Sequence, residues 1–397
     1  MPAFLDHAST TPLRPEAAAA VVEELGHVGN ASSLHSSGRR ARRVVEESRE
    51  ALAEAVGAGV SEVVLTSGGT EADNLGVKGL YWARRAADPR RRRILAGAVE
   101  HHAVLDVVEW LAEHEGAEVT WLPVDTVGRV DLDALAAVLA EHADEVALLT
   151  LMWANNEVGT LQPVQRAAEL AHAAGVPVHT DAVQAVGHVP VDFAASGADS
   201  LALSAHKFGG PVGAGALVLR RGLDLVAVQH GGGQERGVRS GTLDVPSVRG
   251  MAVAAAAAVA ELGSEARRLG ALRDELVAGL LDAVPGVVVR GDPDPAGRLP
   301  GHAHVTVPDC EGDSLLYLLD ARGVECSTGS ACQAGVPRPS HVLLAMGLDP
   351  LEARGALRFS LGRTTTAADV EAAVAAFAPA VERAQRATRA ARTRRAS

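Results

Sequence analysis

At 397 residues, with 47% hydrophobic and 22% charged side chains, the chain has room for one large domain and a smaller one, each with a buried core. A formal charge of −12 argues against a nucleic-acid scaffold, which needs a dominant cationic surface. Three cysteines cannot build a disulfide framework, and MPAFLDHASTTP carries no basic-then-apolar leader, so a cytoplasmic enzyme with no membrane role is expected.

Short β-branched runs predict strands over 62–68, 93–99, 146–153, 176–182, 200–206 and 215–220. Amphipathic stretches such as VQRAAELAHAAG (164–175) lie between several of them, so the sequence predicts an α/β fold with a mostly parallel sheet covered on both faces. Ligands bind beyond the carboxyl ends of such strands, and the unusual polar residues gather there. The alanine-rich run from Met251 is too short to span a bilayer and reads as a buried helix. From about Glu261 the pattern changes to that of a smaller α+β domain, and the basic terminal stretch VERAQRATRAARTRRAS reads as a frayed, solvated tail.

Lysine occurs only at Lys78 and Lys207, every other basic side chain except histidine being arginine, so imine chemistry has two candidate amines. Lys78 lies about two turns into a helical pattern and reads as a helix-face residue. Lys207, in SAHKFGGP, follows a strand and sits among glycines beside Ser204 and His206, the setting an imine with pyridoxal phosphate needs. In TSGGTEADN a strand gives way to a helix near Thr70, offering free amides, Gly69 and a hydroxyl to a phosphate. Asp181, in VHTDAVQ, is placed to pair with a pyridine nitrogen or to cap the next turn, and Gln184 follows it.

His101, in VEHHAVLD, is placed to stack on a ring and move protons; zinc is not expected, because adjacent histidines diverge and further ligands are lacking. In ANNEVGT, Asn156 is a ligand for the cofactor's periphery, with a plain turn as the alternative. HGGGQERGVRSGT (230–242) suits an anion-binding loop; without a G-x-S-x-G elbow it is a poor esterase signature. Cys332, in the Gly/Ser/Ala-rich CSTGSACQAG, reads as exposed and mobile, and Arg358, in LRFSLGR, has the forked geometry for a carboxylate. The spacing of Cys326 and Cys332 is not that of a C-x-x-C redox pair, and Cys310 has no evident partner.

Taken together, FLDHASTTP, GNASSLHSSG, TSGGTEADN, EHHAVLD, NNEVGT, HTDAVQ, SAHKFGGP, ERGVRSGT, TGSAC and RFSLGR, in this order and nearly end to end, resemble the cysteine desulfurases of the class V aminotransferase superfamily. The resemblance implies a homodimeric fold-type I enzyme with a seven-stranded large domain (14–260) and a small domain from both termini (1–13 and 261–397). It implies that Lys207 forms the Schiff base with pyridoxal 5'-phosphate, His101 stacks on the ring and Asp181 pairs with its nitrogen. Asn156 and Gln184 would bond the ring's edge, and Thr70, Ser204 and His206 the phosphate, with Thr242 reaching across from the other subunit. Arg358, helped by Asn156, would hold the carboxylate of L-cysteine, and Cys332 would carry the sulfur as a persulfide to an acceptor protein for iron–sulfur assembly or tRNA thiolation. His7, Ser9, Ala31, His102 and Val212 depart from residues common in the family, and none of them removes a catalytic group. A selenocysteine lyase or another class V enzyme is the alternative reading, with a non-enzymatic sulfur-relay scaffold behind both.

Overall fold

The computed structural model describes residues 2–329 and 339–396; Cys332 and the exposed loop expected around it lie outside the described residues. In chain order the strands are β1 (Ala3–Phe4), β2 (Val63–Thr66), β3 (Arg93–Gly97), β4 (Glu118–Leu122), β5 (Val146–Thr150) and β6 (Val178–Asp181). There follow β7 (Ser200–Ser204), β8 (Gly215–Leu219), β9 (Val288–Arg290), β10 (His302–Thr306), β11 (Val324–Glu325) and β12 (Ala356–Ser360).

Seven of these form one sheet in the order β2-β8-β7-β6-β5-β3-β4. The pairings from β4 through to β7 are parallel, and β8 runs antiparallel to both of its neighbours. Every residue of β5 and β7 is buried, so these strands are covered on both faces and show no alternation of buried and exposed positions. All six strands expected from the sequence are present. The seventh, β4, escaped that reading because it is an edge strand: of its five residues only Leu122 is buried, and Trp121 is exposed over about two-fifths of its surface (39%).

Helix Val245–Ala283 is long and apolar enough to cross a membrane by length and composition, yet Met251, Ala252, Ala254 and Ala255 are buried in a core shared with Ala17, Val45 and Leu52. That core packs one face of the large sheet. A second core joins Ala3 and Leu5, at the start of the chain, to residues from Leu269 onward. There β10 lies between β9 and β12 in an antiparallel sheet, while β1 pairs with β11 in parallel. These pairings bring the first ten residues beside β12, a bridge forming between Asp6 and Ser360.

The basic terminal stretch differs from the expectation of a frayed tail. Helix Ala367–Ala396 runs on through it, anchored where Val381 and Ala384 are buried. Alanine and arginine favour helix strongly enough to propagate one already begun.

Candidate functional site

The carboxyl ends of β2, β5, β6 and β7 and the turns that follow them open onto two adjoining pockets. The inner one is lined by Gly69, Thr70, Asp73, His101, Asn156, Asp181, Gln184, Ser204, His206 and Lys207 among others. The outer one shares His101, Asn156, Gln184 and Lys207, and adds Ala8, Ser9, His102, Glu157, Ser327, Gly329, His341 and Arg358.

At one end of the inner pocket, Gly69 opens helix Gly69–Ala87, and Gly68 before it takes a φ of 153°, which glycine adopts without strain. A Cβ on Gly69 would sit 2.7 Å from a methyl of Val183, so the close approach requires glycine. Thr70, Ser204 and His206 ring the first amides of this helix. Two hydroxyls, an imidazole and the positive end of a helix dipole form a donor set for a phosphate. Ser67 turns away instead, its amide and hydroxyl donating to Glu71 Oε2 at 2.7 and 2.5 Å.

Asp181, the last residue of β6, is both capping group and pocket wall. Its Oδ1 accepts from the Val183 amide at 2.8 Å, and burial lifts its carboxyl to about 6. Beneath it lie two more buried carboxyls. Glu100 is pushed up to about 8 by burial, and its Oε1 accepts from the Met152 amide at 2.6 Å. Asp73 is held well above the carboxylate range by burial and by Asp181; its Oδ1 lies 3.2 Å from His179 Nε2, while Oδ2 is buried without a partner beside the pocket. A cation bound next to Asp181 would relieve this accumulation of acid.

Lys207 emerges from the turn after β7. Its ammonium donates to the carbonyls of Ala8 and Ser9 at 2.7 and 2.8 Å, and burial, with Arg358 nearby, lowers it to about 8. That shift makes the neutral, nucleophilic amine accessible near neutral pH. Lys78 meanwhile lies 4.3 Å from the centroid of the Trp110 ring on a helix face, as its spacing indicated. His101 accepts the Ala103 amide on Nδ1 at 3.1 Å, and burial lowers it to about 4, so the neutral ring carries its proton on Nε2. His206 is likewise lowered to about 4, chiefly by burial.

Arg358, on β12, is almost fully buried. Its guanidinium donates to Asp6 Oδ1 at 2.7 Å, Ser9 Oγ at 2.9 Å and the carbonyl of Asn156 at 2.9 Å, while Nε is buried without a partner. The two asparagines of ANNEVGT divide the labour. Asn155 is the turn, donating to the Val99 carbonyl and accepting from the amides of Glu157 and Val158; Asn156 faces both pockets. Gln184 borders both pockets too, its amide donating to the Ala8 carbonyl at 2.9 Å.

One expectation differs within this chain. The 230–242 loop is not an open anion cradle: Arg239 pairs with Glu71 at 2.7 Å and Arg236 donates to the Val63 carbonyl. Glu235, which the sequence did not single out, forms a buried pair with Arg49 that ties the loop to β2. Thr242, at the loop's end, is exposed and lines neither pocket. Cys310 and Cys326 are buried, their thiols pushed up to about 11 and 12, chiefly by burial.

Sequence reasoning also missed Asp6, Asp73, Glu157 and His341. Asp6 holds Arg358 from 352 positions away, so no local spacing signals it. Glu157 stood inside a quoted motif; it is buried, accepts from Ser340 Oγ at 2.5 Å, and is raised by that burial.

The class V aminotransferase family matches residues 3–373. The chain belongs to that family. An IscS-like cysteine desulfurase of Mycobacterium tuberculosis is 57% identical over 389 residues, covering 98% of both chains. Among solved structures, a NifS-like protein superposes with a TM-score of 0.88 at 34% identity, over 96% of this chain and all of the other. The protein SspA, solved in complex with cysteine, gives 0.77 at 31% identity, over 90% and 98% of the two chains.

Proposed function

We propose that this chain is a cysteine desulfurase: it converts L-cysteine to L-alanine and passes the sulfur, as a persulfide on Cys332, to an acceptor protein. The observation that carries the reading is the meeting of Lys207, Asp181 and His101 with Arg358 in one continuous cleft. The relatives named cysteine desulfurase support the same activity.

The enzyme depends on pyridoxal 5'-phosphate, and the inner pocket fits it: phosphate donors at one end, a buried carboxyl with acid beneath it at the other, and a lysine between. When bound, the cofactor supplies an electron sink for the charge left at Cα. Thr70, Ser204 and His206, with the helix opening at Gly69, would hold its phosphate, and Asp181 its ring nitrogen. Gln184 and Asn156 would bond the ring's edge under His101. Lys207, with its amine free, would be positioned to take the Cα proton. Arg358 takes the substrate carboxylate, already oriented by Asp6 and Ser9 so that little ordering is required on binding. The division into a large domain (14–260) and a small one (1–13 and 261–397) is supported by the second core, which joins both termini.

The reading extends to a cytoplasmic homodimer in which Thr242 of each subunit reaches the other's phosphate site. Val22, Leu25, Val28, Leu34 and Val212 are exposed apolar side chains that a second copy would cover, and an exposed Thr242 is free to serve elsewhere. The test is alanine release from L-cysteine by purified protein beside Cys332→Ala. The variant is expected to keep the cofactor's colour and lose sulfur transfer. Equal alanine from both would demote Cys332 and favour a lyase.

A further inference from the structure

If Arg358 holds the substrate carboxylate and Lys207 faces the amine and Cα, the substrate side chain is left the remaining wall of the outer pocket. That wall carries His102, His341 and Gly329. The two imidazole rings lie 5.3 Å apart edge to face. His341 Nε2 is 2.9 Å from the Glu100 carbonyl, which only accepts, so that nitrogen carries the hydrogen and Nδ1 keeps its lone pair. His102 Nδ1 is 2.9 Å from Asp106 Oδ1, one helical turn on; in the neutral ring, donation to the carboxylate leaves the lone pair on Nε2. His101 is of the opposite kind, its Nδ1 already accepting from Ala103 and its Nε2 donating. With these rings neutral, the pocket presents one imidazole donor on the cofactor side and two acceptors on the side-chain wall.

We propose that His102, oriented by Asp106 and seated beside His341, accepts the S–H of the substrate thiol and makes the site prefer cysteine over amino acids with apolar side chains. This rests on the desulfurase reading and deepens it. No bond to the thiol need break in this contact; it is a hydrogen bond from sulfur to His102 Nε2. The imidazole is about one-third exposed and the pocket's buried scaffold does not depend on it, so a variant is expected to fold.

The test compares His102→Leu and His102→Gln with the wild-type holoenzyme. KM and kcat for L-cysteine are followed by alanine release, and the affinity for L-alanine, which lacks the thiol, by the cofactor's absorbance. His102→Leu is expected to raise KM for cysteine about 10-fold, leaving kcat within about 2-fold, from loss of one hydrogen bond. Alanine affinity should be unchanged, and His102→Gln, whose side-chain carbonyl accepts, should recover most of the loss. Equal weakening of cysteine and alanine, no change in either, or a glutamine variant as poor as leucine would overturn the proposal. Wild-type protein that makes no alanine from cysteine would instead refute the parent reading.

Discussion

The two ends of the cleft are built differently. The inner end is assembled by the large sheet: β2, β6 and β7 each deliver a short run of residues to their carboxyl ends, so Gly69–Thr70, Asp181–Gln184 and Ser204–Lys207 arrive as compact motifs. The outer end is assembled by tertiary contact between distant segments, Asp6 and Ser9 meeting Arg358, and Ser340 meeting Glu157. A binding site made by one sheet is rigid and local. A site made across two cores depends on how the chain's termini return, which suits a place where substrate must enter and product leave.

Substitutions should separate the ends. The largest effect is expected for Lys207→Ala, which should lose at least about 10³-fold in turnover while the fold persists, because no other amine is near; only Lys78 exists, and it packs on Trp110. Arg358→Lys should raise KM for cysteine by about 10²-fold with an unchanged cofactor spectrum, since an ammonium cannot satisfy Asp6, Ser9 and Asn156 together and still fork to a carboxylate. An inner-end change should show the reverse pattern. Gly69→Ala forces a methyl against Val183 and is expected to weaken cofactor retention about 10-fold, at a stability cost of about 1–3 kcal/mol, with KM for cysteine nearly constant once cofactor is saturating.

The same contrast governs how much could be read in the sequence. The inner end was legible because strand ends carry their polar residues in contiguous motifs, and because a lysine is informative in a chain with two. Six of the large sheet's strands were legible from apolar runs; β4 was not, because an edge strand with one buried residue shows no such run. Of the residues the outer pocket adds to the shared wall, only Arg358 was legible as a functional residue. Asp6, Glu157 and His341 gain their meaning from partners far along the chain, and Thr242 was placed by resemblance alone.

The last effect is one of pH. Glu100 is raised from 4.5 to about 8 by burial, so the folded state binds its proton more tightly than the unfolded state. Its contribution is fully present below about 4.5 and is lost as pH rises through about 8. Glu100→Gln, always neutral, should be near wild type in stability at pH 4.5 and more stable by roughly 4 kcal/mol at pH 8, measured by denaturant titration. A wild-type protein that gains stability relative to this variant across that window would show that Glu100 is charged and paired in the folded state.

The central claim is that sulfur leaves cysteine through one thiol, and Cys310 and Cys326 provide the internal control, because burial keeps both thiols protonated. The direct measurement is to give the holoenzyme L-cysteine for a single turnover, alkylate, and map peptide masses against alanine formed. One extra sulfur on the peptide containing Cys332, equal in amount to the alanine, is the result predicted. Alanine formed with that peptide unmodified, or with the sulfur on Cys310 or Cys326, would contradict the account.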